Sequence, residues 1–138
     1  MAYEDNIEHR SRHVPWTTTS SQDADWWMGG VNWEAGNVVL TFCDAPGGAA
    51  KITLTNQAAG VQGIALTYDP EFVAPDGSAI GGTRMRPQID EATLEALEWG
   101  PDPKAPLVLY YDLLVTPPAE AQQALFYGTF TLYPGEGD

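Results

Sequence analysis

The feature that most constrains this chain is its punctuation. From Trp16 onward, short apolar runs with a period of two are separated by clusters of Gly, Pro, Asn and Asp about every ten residues. In an extended strand alternate side chains point to opposite faces, so such a run lays one face on a core and the other in solvent. Val38, Leu40 and Phe42 alternate with Val39, Thr41 and Cys43, and the run stops at Asp44-Ala45-Pro46-Gly47-Gly48, a strong turn sequence. Lys51 to Asn56 then returns with Ile52 and Leu54 on one face and Thr53 and Thr55 on the other, which predicts a hairpin. Ile64, Leu66 and Tyr68 repeat the pattern against Ala65 and Thr67.

Residues 107–116 and 124–133 carry the strongest strand signals and are joined by a Pro117-Pro118 loop, which predicts a final antiparallel hairpin at the centre of the core. Both faces of the first are apolar apart from Asp112, so its outer face is expected to be covered by another element or another chain. Residues 25–33 read as a strand interrupted at Gly29-Gly30 by a bulge or a close backbone approach. Residues 69–82 read as a long surface loop, and 83–89 as extended chain in which Arg84 and Arg86 point the same way and make a local basic spot. One helix is predicted over 90–99, capped by Asp90 and closed by Gly100-Pro101, with Leu94 and Leu97 toward the core and Glu91, Glu95 and Glu98 in solvent.

Met1 to Val14 is polar and shows neither period. It predicts an arm over 1–14 that frays in isolation and lies along a neighbour in an assembly, ahead of a single domain over 15–138. Removing the arm is then expected to weaken assembly while leaving the domain folded. A chain of 138 residues with 43% hydrophobic residues and five Trp holds one core and no second domain.

Charge excludes more than it assigns. Nineteen acidic side chains against six basic ones give a formal charge of −13, a field that repels the phosphate backbone and an anionic membrane surface alike. Neither nucleic acid nor membrane is expected as a partner, and with no run of about 20 apolar residues and no signal-peptide layout, the chain is expected to be made and kept in a cytoplasm. Cys43 is the only cysteine, so neither an internal disulfide nor a thiolate metal cluster is open to the chain, and a small strand residue is the plain reading.

The two histidines, His9 and His13, both fall in the arm. They would share a face and take a metal only if the arm were helical, and a solvated pair is the plainer reading. With no histidine in the domain proper, an acyl-transfer triad and the usual zinc hydrolase sites are excluded. Asp23 with Asp25, or Asp69 with Glu71 and Asp76, are carboxylate sets that suit glycoside hydrolysis or calcium, but 19 acids bring some together by chance and the spacing is irregular. No glycine-rich phosphate loop precedes a helix. The expectation is a chain without catalytic residues, metal or cofactor. Trp26, Trp27 and Trp33 suit either a sugar-stacking platform or core and interface packing, the commoner use.

Short motifs in a particular order add a resemblance. Asp25-Trp26, Asp44-Ala45-Pro46-Gly47-Gly48, Ile89-Asp90-Glu91-Ala92-Thr93, Tyr111-Asp112-Leu113, and Gly128-Thr129-Phe130 followed by Pro134-Gly135 span about residues 20 to 135. In layout the chain resembles small proteins of the tail regions of tailed phages and the N-terminal immunoglobulin-like domain of phage baseplate upper proteins. The resemblance implies a mostly β protein, an immunoglobulin-like antiparallel β-sandwich with one short helix and an extended N-terminal arm. It further implies a virion protein that attaches fibres or completes the tail tip or baseplate in several symmetry-related copies. It brings no catalytic residues, and the long C-terminal coiled coil and receptor-binding head of larger relatives do not follow, so an adaptor role fits better than receptor recognition.

The residues expected to touch other virion proteins are Tyr3, Ile7, Arg10 and Arg12 in the arm, Trp26 and Trp27, Arg84 and Arg86, and Tyr110. The rival expectations are a head-decoration protein of the capsid, a carbohydrate-binding module, and an acidic mimic of nucleic acid, the last weakened by the scatter of the acids along the chain.

Overall fold

The computed structural model of the protein describes residues 3–17, 26–99, 101–102 and 104–135. Its strands are β1 (Tyr3–Glu4), β2 (Ile7–His9), β3 (Trp26–Gly29), β4 (Asn37–Cys43), β5 (Ala50–Thr55), β6 (Gly63–Asp69), β7 (Gly82–Gln88), β8 (Leu107–Thr116) and β9 (Gln123–Leu132), with one helix, α1 (Glu91–Glu95). The larger sheet runs β1-β9-β8-β4-β5, with β2 also on β9, and the smaller runs β3-β7-β6. The fold is a mostly β sandwich of two sheets.

Alternation decides which side of each strand is buried. On β4, Val38, Leu40 and Phe42 are buried, and on β8 Leu109, Tyr111, Leu113 and Val115 are, facing the core built by both sheets. The predicted hairpins β4–β5 and β8–β9 form in antiparallel register. At the centre, Trp16 and Phe42 each meet the Phe130 ring edge-on at a centroid distance of 5.1 Å. Trp16 comes from outside the named strands and is held by paired backbone hydrogen bonds with Ile89, at 2.9 and 3.0 Å.

The largest departure from the sequence expectation is the N-terminal segment. It is not a free arm: β1 and β2 pair in parallel with β9, and Ile7 and His9 are 1% and 2% exposed. The physical reason is that β9 would otherwise be a sheet edge with open backbone groups, and a strand of only three residues is too short to register as a period in the sequence. The junction between β1 and β2 is fastened by side chains. Asn6 Oδ1 accepts from the Thr129 backbone N–H at 3.0 Å, the Tyr111 hydroxyl donates to the Asp5 carbonyl, and Trp26 Nε1 donates to the Asp5 carboxylate at 2.9 Å. Residues 3–9 and the domain proper therefore share one core.

Two smaller corrections concern 25–33 and 90–99. Strand β3 does not resume beyond the glycine pair but ends at Gly29: Gly30 takes φ of 82° and donates to the Gly81 carbonyl. The following turn is tied to β7 by the buried Thr83 hydroxyl, which donates to the Val31 carbonyl and accepts from the Trp33 N–H. Helix α1 has five residues and stops at Ala96, short of Gly100, which lies outside the described residues. Asp90 makes no side-chain cap; its carboxylate instead accepts from Gln88 Nε2 at 2.8 Å. Leu94 is buried as predicted and Leu97 only half so, because a helix this short is held by one anchor and not by a full apolar stripe.

Candidate functional site

The outer face of β8 leaves apolar surface unpaired. Among the described residues no element of the chain covers it. Val108, Tyr110 and Tyr127 remain 41%, 37% and 46% exposed in three successive cross-strand rows, where lone surface apolar residues are ordinary but neighbouring ones are less so.

Strand register builds this face row by row. Cys43, Tyr110 and Thr129 lie across β4, β8 and β9 in one row, and Thr41, Asp112 and Tyr127 in the next. Together with Leu114 they floor an open groove of about 550 Å³, walled by the Ala45-Pro46-Gly47 turn on one side and by Glu4 and Asn6 on the other. Gly128, in register with the buried Tyr111, lets the N-terminal segment pass close to β9, since an added Cβ would lie 2.2 Å from the Asp5 carbonyl oxygen. Glu4 and Asp112 are the charged residues of the lining, which carries no Lys or Arg. A groove floored by two tyrosines, a leucine, threonines and a carboxylate, with only negative charge, suits a protein segment with aromatic or basic side chains.

Of the residues expected from the sequence as contacts, Tyr110 stands on this groove. Ile7 and Trp26 are corrected: both lie in the core, Ile7 under the parallel pairing with β9 and Trp26 stacked on Phe126 at 5.5 Å, so neither meets a partner. Tyr3 is exposed at the edge strand, Arg10 is exposed beyond β2, and the Arg12 guanidinium lies 4.8 Å over the Trp99 ring. Trp27 and Arg84 are cross-strand neighbours on the smaller sheet, and Arg86 is half-buried two residues further on. The expected residues thus fall on separate surfaces and do not form one site.

Tyr127 and Asp112 lie in the 107–133 hairpin expected as a contact surface but were not singled out, and Cys43 and Glu4 were not expected there. Placing the final hairpin in register would have put Tyr127 across from Asp112, but the shift between Leu113 and Leu114 that sets this register is not written in the residues. Cys43, expected as a small strand residue, is half-buried on the groove floor.

Tryptophans do not assemble into a sugar platform. Trp26 and Trp33 are buried, and Trp27 stacks on Phe72 at 4.9 Å with the Arg84 guanidinium 5.6 Å from its centroid. The histidines are also parted. His9 is inside the fold, Nε2 donating to the Val14 carbonyl at 2.6 Å, and burial lowers its pKa from the ordinary value. With His9 inside the fold, the absence of a histidine from the folded part no longer excludes an acyl-transfer triad or the usual zinc hydrolase sites. His13 is exposed and its Nδ1 is 2.7 Å from Glu95 Oε2. His13, Glu91 and Glu95 bring their ligand atoms within 4.8 Å of one another. Asp69 and Asp76 each turn inward on their own loop, accepting from Glu71 N–H and Ser78 N–H at 2.9 Å, while Asp23 and Asp25 lie outside the described residues. No family model matches the chain, and no curated protein or solved structure matches it.

Proposed function

We propose that the protein is a structural adaptor of a tailed-phage particle, working in the tail, baseplate or fibre-attachment region through protein–protein contacts and in several copies. The observation that carries this reading is the open groove on the outer face of β4, β8 and β9, with Tyr110 and Tyr127 standing exposed in adjacent rows. Tyrosines of this kind anchor interfaces, because their rings bury large area at low entropic cost while the hydroxyl stays hydrogen-bonded.

The strand order supports the immunoglobulin-like part of the reading. The order β9-β8-β4-β5 opposite β3-β7-β6 corresponds to G-F-C-C′ opposite B-E-D of a variable-type immunoglobulin sandwich. The order of short motifs, which resembles that of phage baseplate and tail proteins, supports the location. A carbohydrate-binding role is less well supported, since Trp26 and Trp33 are core residues and Trp27 is stacked.

The test is a cross-linking and mass-spectrometry map on the particle, with light scattering on the purified protein. Cross-links from residues flanking Tyr110 and Tyr127 to a tail, portal-proximal or fibre protein, lost in a Tyr110→Ser/Tyr127→Ser variant, are expected. Cross-links to capsid protein would move the reading to head decoration. A lone monomer with no large partner would overturn it.

A further inference from the structure

The helix α1 is five residues long, yet both of its end positions, Glu91 and Glu95, carry a carboxylate on the same side. Two like charges one turn apart oppose each other, in a chain that already carries −13. Across from them stands His13, 82 residues away from Glu95 in sequence, with its Nδ1 at 2.7 Å from Glu95 Oε2. The nitrogen is delivered by a turn fixed from within. Val14 N–H donates to the Ser11 carbonyl at 3.2 Å, His13 N–H donates to Ser11 Oγ at 3.1 Å, and the Val14 carbonyl accepts from buried His9.

We propose that His13, Glu91 and Glu95 form a binding site for a divalent transition-metal ion of the zinc class, which joins the N-terminal segment to α1. Donor chemistry selects this class. One imidazole nitrogen with two carboxylates suits zinc and its neighbours, whereas calcium takes six to eight oxygens and magnesium an octahedral shell made largely of water. Geometry is close to what is needed. Metal–ligand bonds of about 2.0–2.1 Å put ligand atoms roughly 3.3 Å apart, so the His13–Glu95 pair opens slightly and the Glu91 carboxylate closes in by a rotamer change. All three side chains are exposed, so this adjustment displaces nothing in the core. Three protein ligands leave at least one coordination position to water.

The site differs from the groove in place and in chemistry, and its test is separate. Titrating the full chain with ZnCl2 in a calorimeter, and with CoCl2 while recording the visible d–d bands, should give one ion per chain and a cobalt spectrum with nitrogen ligation. His13→Ala should abolish the cobalt band, and Glu91→Gln and Glu95→Gln should each weaken zinc at least tenfold, while Cys43→Ser leaves both unchanged. The variants lie on exposed positions, and far-ultraviolet circular dichroism checks that each remains folded. Zinc affinity that survives His13→Ala, calcium binding as tight as zinc, or no binding at millimolar zinc would each overturn the proposal.

Discussion

Trp26 on the smaller sheet donates its indole N–H to the Asp5 carboxylate, between the first two strands of the larger sheet, at 2.9 Å. This one bond joins the two layers through the segment that the sequence presents as a free arm. Trp26 is buried, so removing the acceptor strands a polar N–H away from water. Asp5→Ala is expected to destabilise the protein by about 1–3 kcal/mol, and Asp5→Asn, which keeps an acceptor, by clearly less. Urea unfolding followed by tryptophan fluorescence measures both, and equal losses would mean that the bond contributes little.

The same architecture reverses the expectation that removing residues 1–14 leaves the domain folded. Deleting 1–9 takes Ile7 and His9 out of the core and reopens the edge of β9. A truncated chain is expected to lose its cooperative thermal transition, and Ile7→Ala alone to cost about 2–5 kcal/mol. A truncated protein with an unchanged melting curve would restore the arm.

Gly128 permits the close approach of the N-terminal segment to β9. An alanine there would bring Cβ to 2.2 Å from the Asp5 carbonyl oxygen, a backbone atom that cannot swing aside as a side chain does. Gly128→Ala is expected to cost about 1–3 kcal/mol by overpacking, and hydrogen exchange should rise first at the backbone amides of residues 5–9. Faster exchange confined to β5 instead would contradict this account.

His9 makes stability depend on pH in a defined direction. Burial is the leading cause of its lowered pKa, and the neighbouring Arg10 charge acts the same way, against the hydrogen bond to Val14, which favours the charged ring. Because the folded pKa lies below the unfolded value near 6.5, the contribution is complete above that pH. As pH falls below about 6.5 the unfolded chain takes up a proton that the folded chain resists, so stability declines until the folded pKa is passed. Comparing wild type with His9→Phe by urea unfolding at pH 7.5, 6.5 and 5.5 isolates the effect. The wild type should lose more than the variant on acidification, and parallel curves would exclude it.

What the amino-acid order determined by itself was the class and the two hairpins β4–β5 and β8–β9. The alternation of Val38, Leu40 and Phe42, the Asp44–Gly48 turn, and the 107–116 and 124–133 runs each carry their geometry locally, because period two and turn chemistry are properties of a few adjacent residues. Tertiary structure decided what the chain does with its polar and isolated pieces. Ile7 and His9 are buried because β9 offers an open edge, Trp16 is central because Phe42 and Phe130 meet there, and His13 reaches Glu95 across 82 residues. The groove was half legible: Tyr110 marks it in the sequence, but Tyr127 joins Asp112 only through the register set by the bulge between Leu113 and Leu114. None of these contacts leaves a local trace, since each depends on segments far apart in sequence that the packing of two sheets brings together.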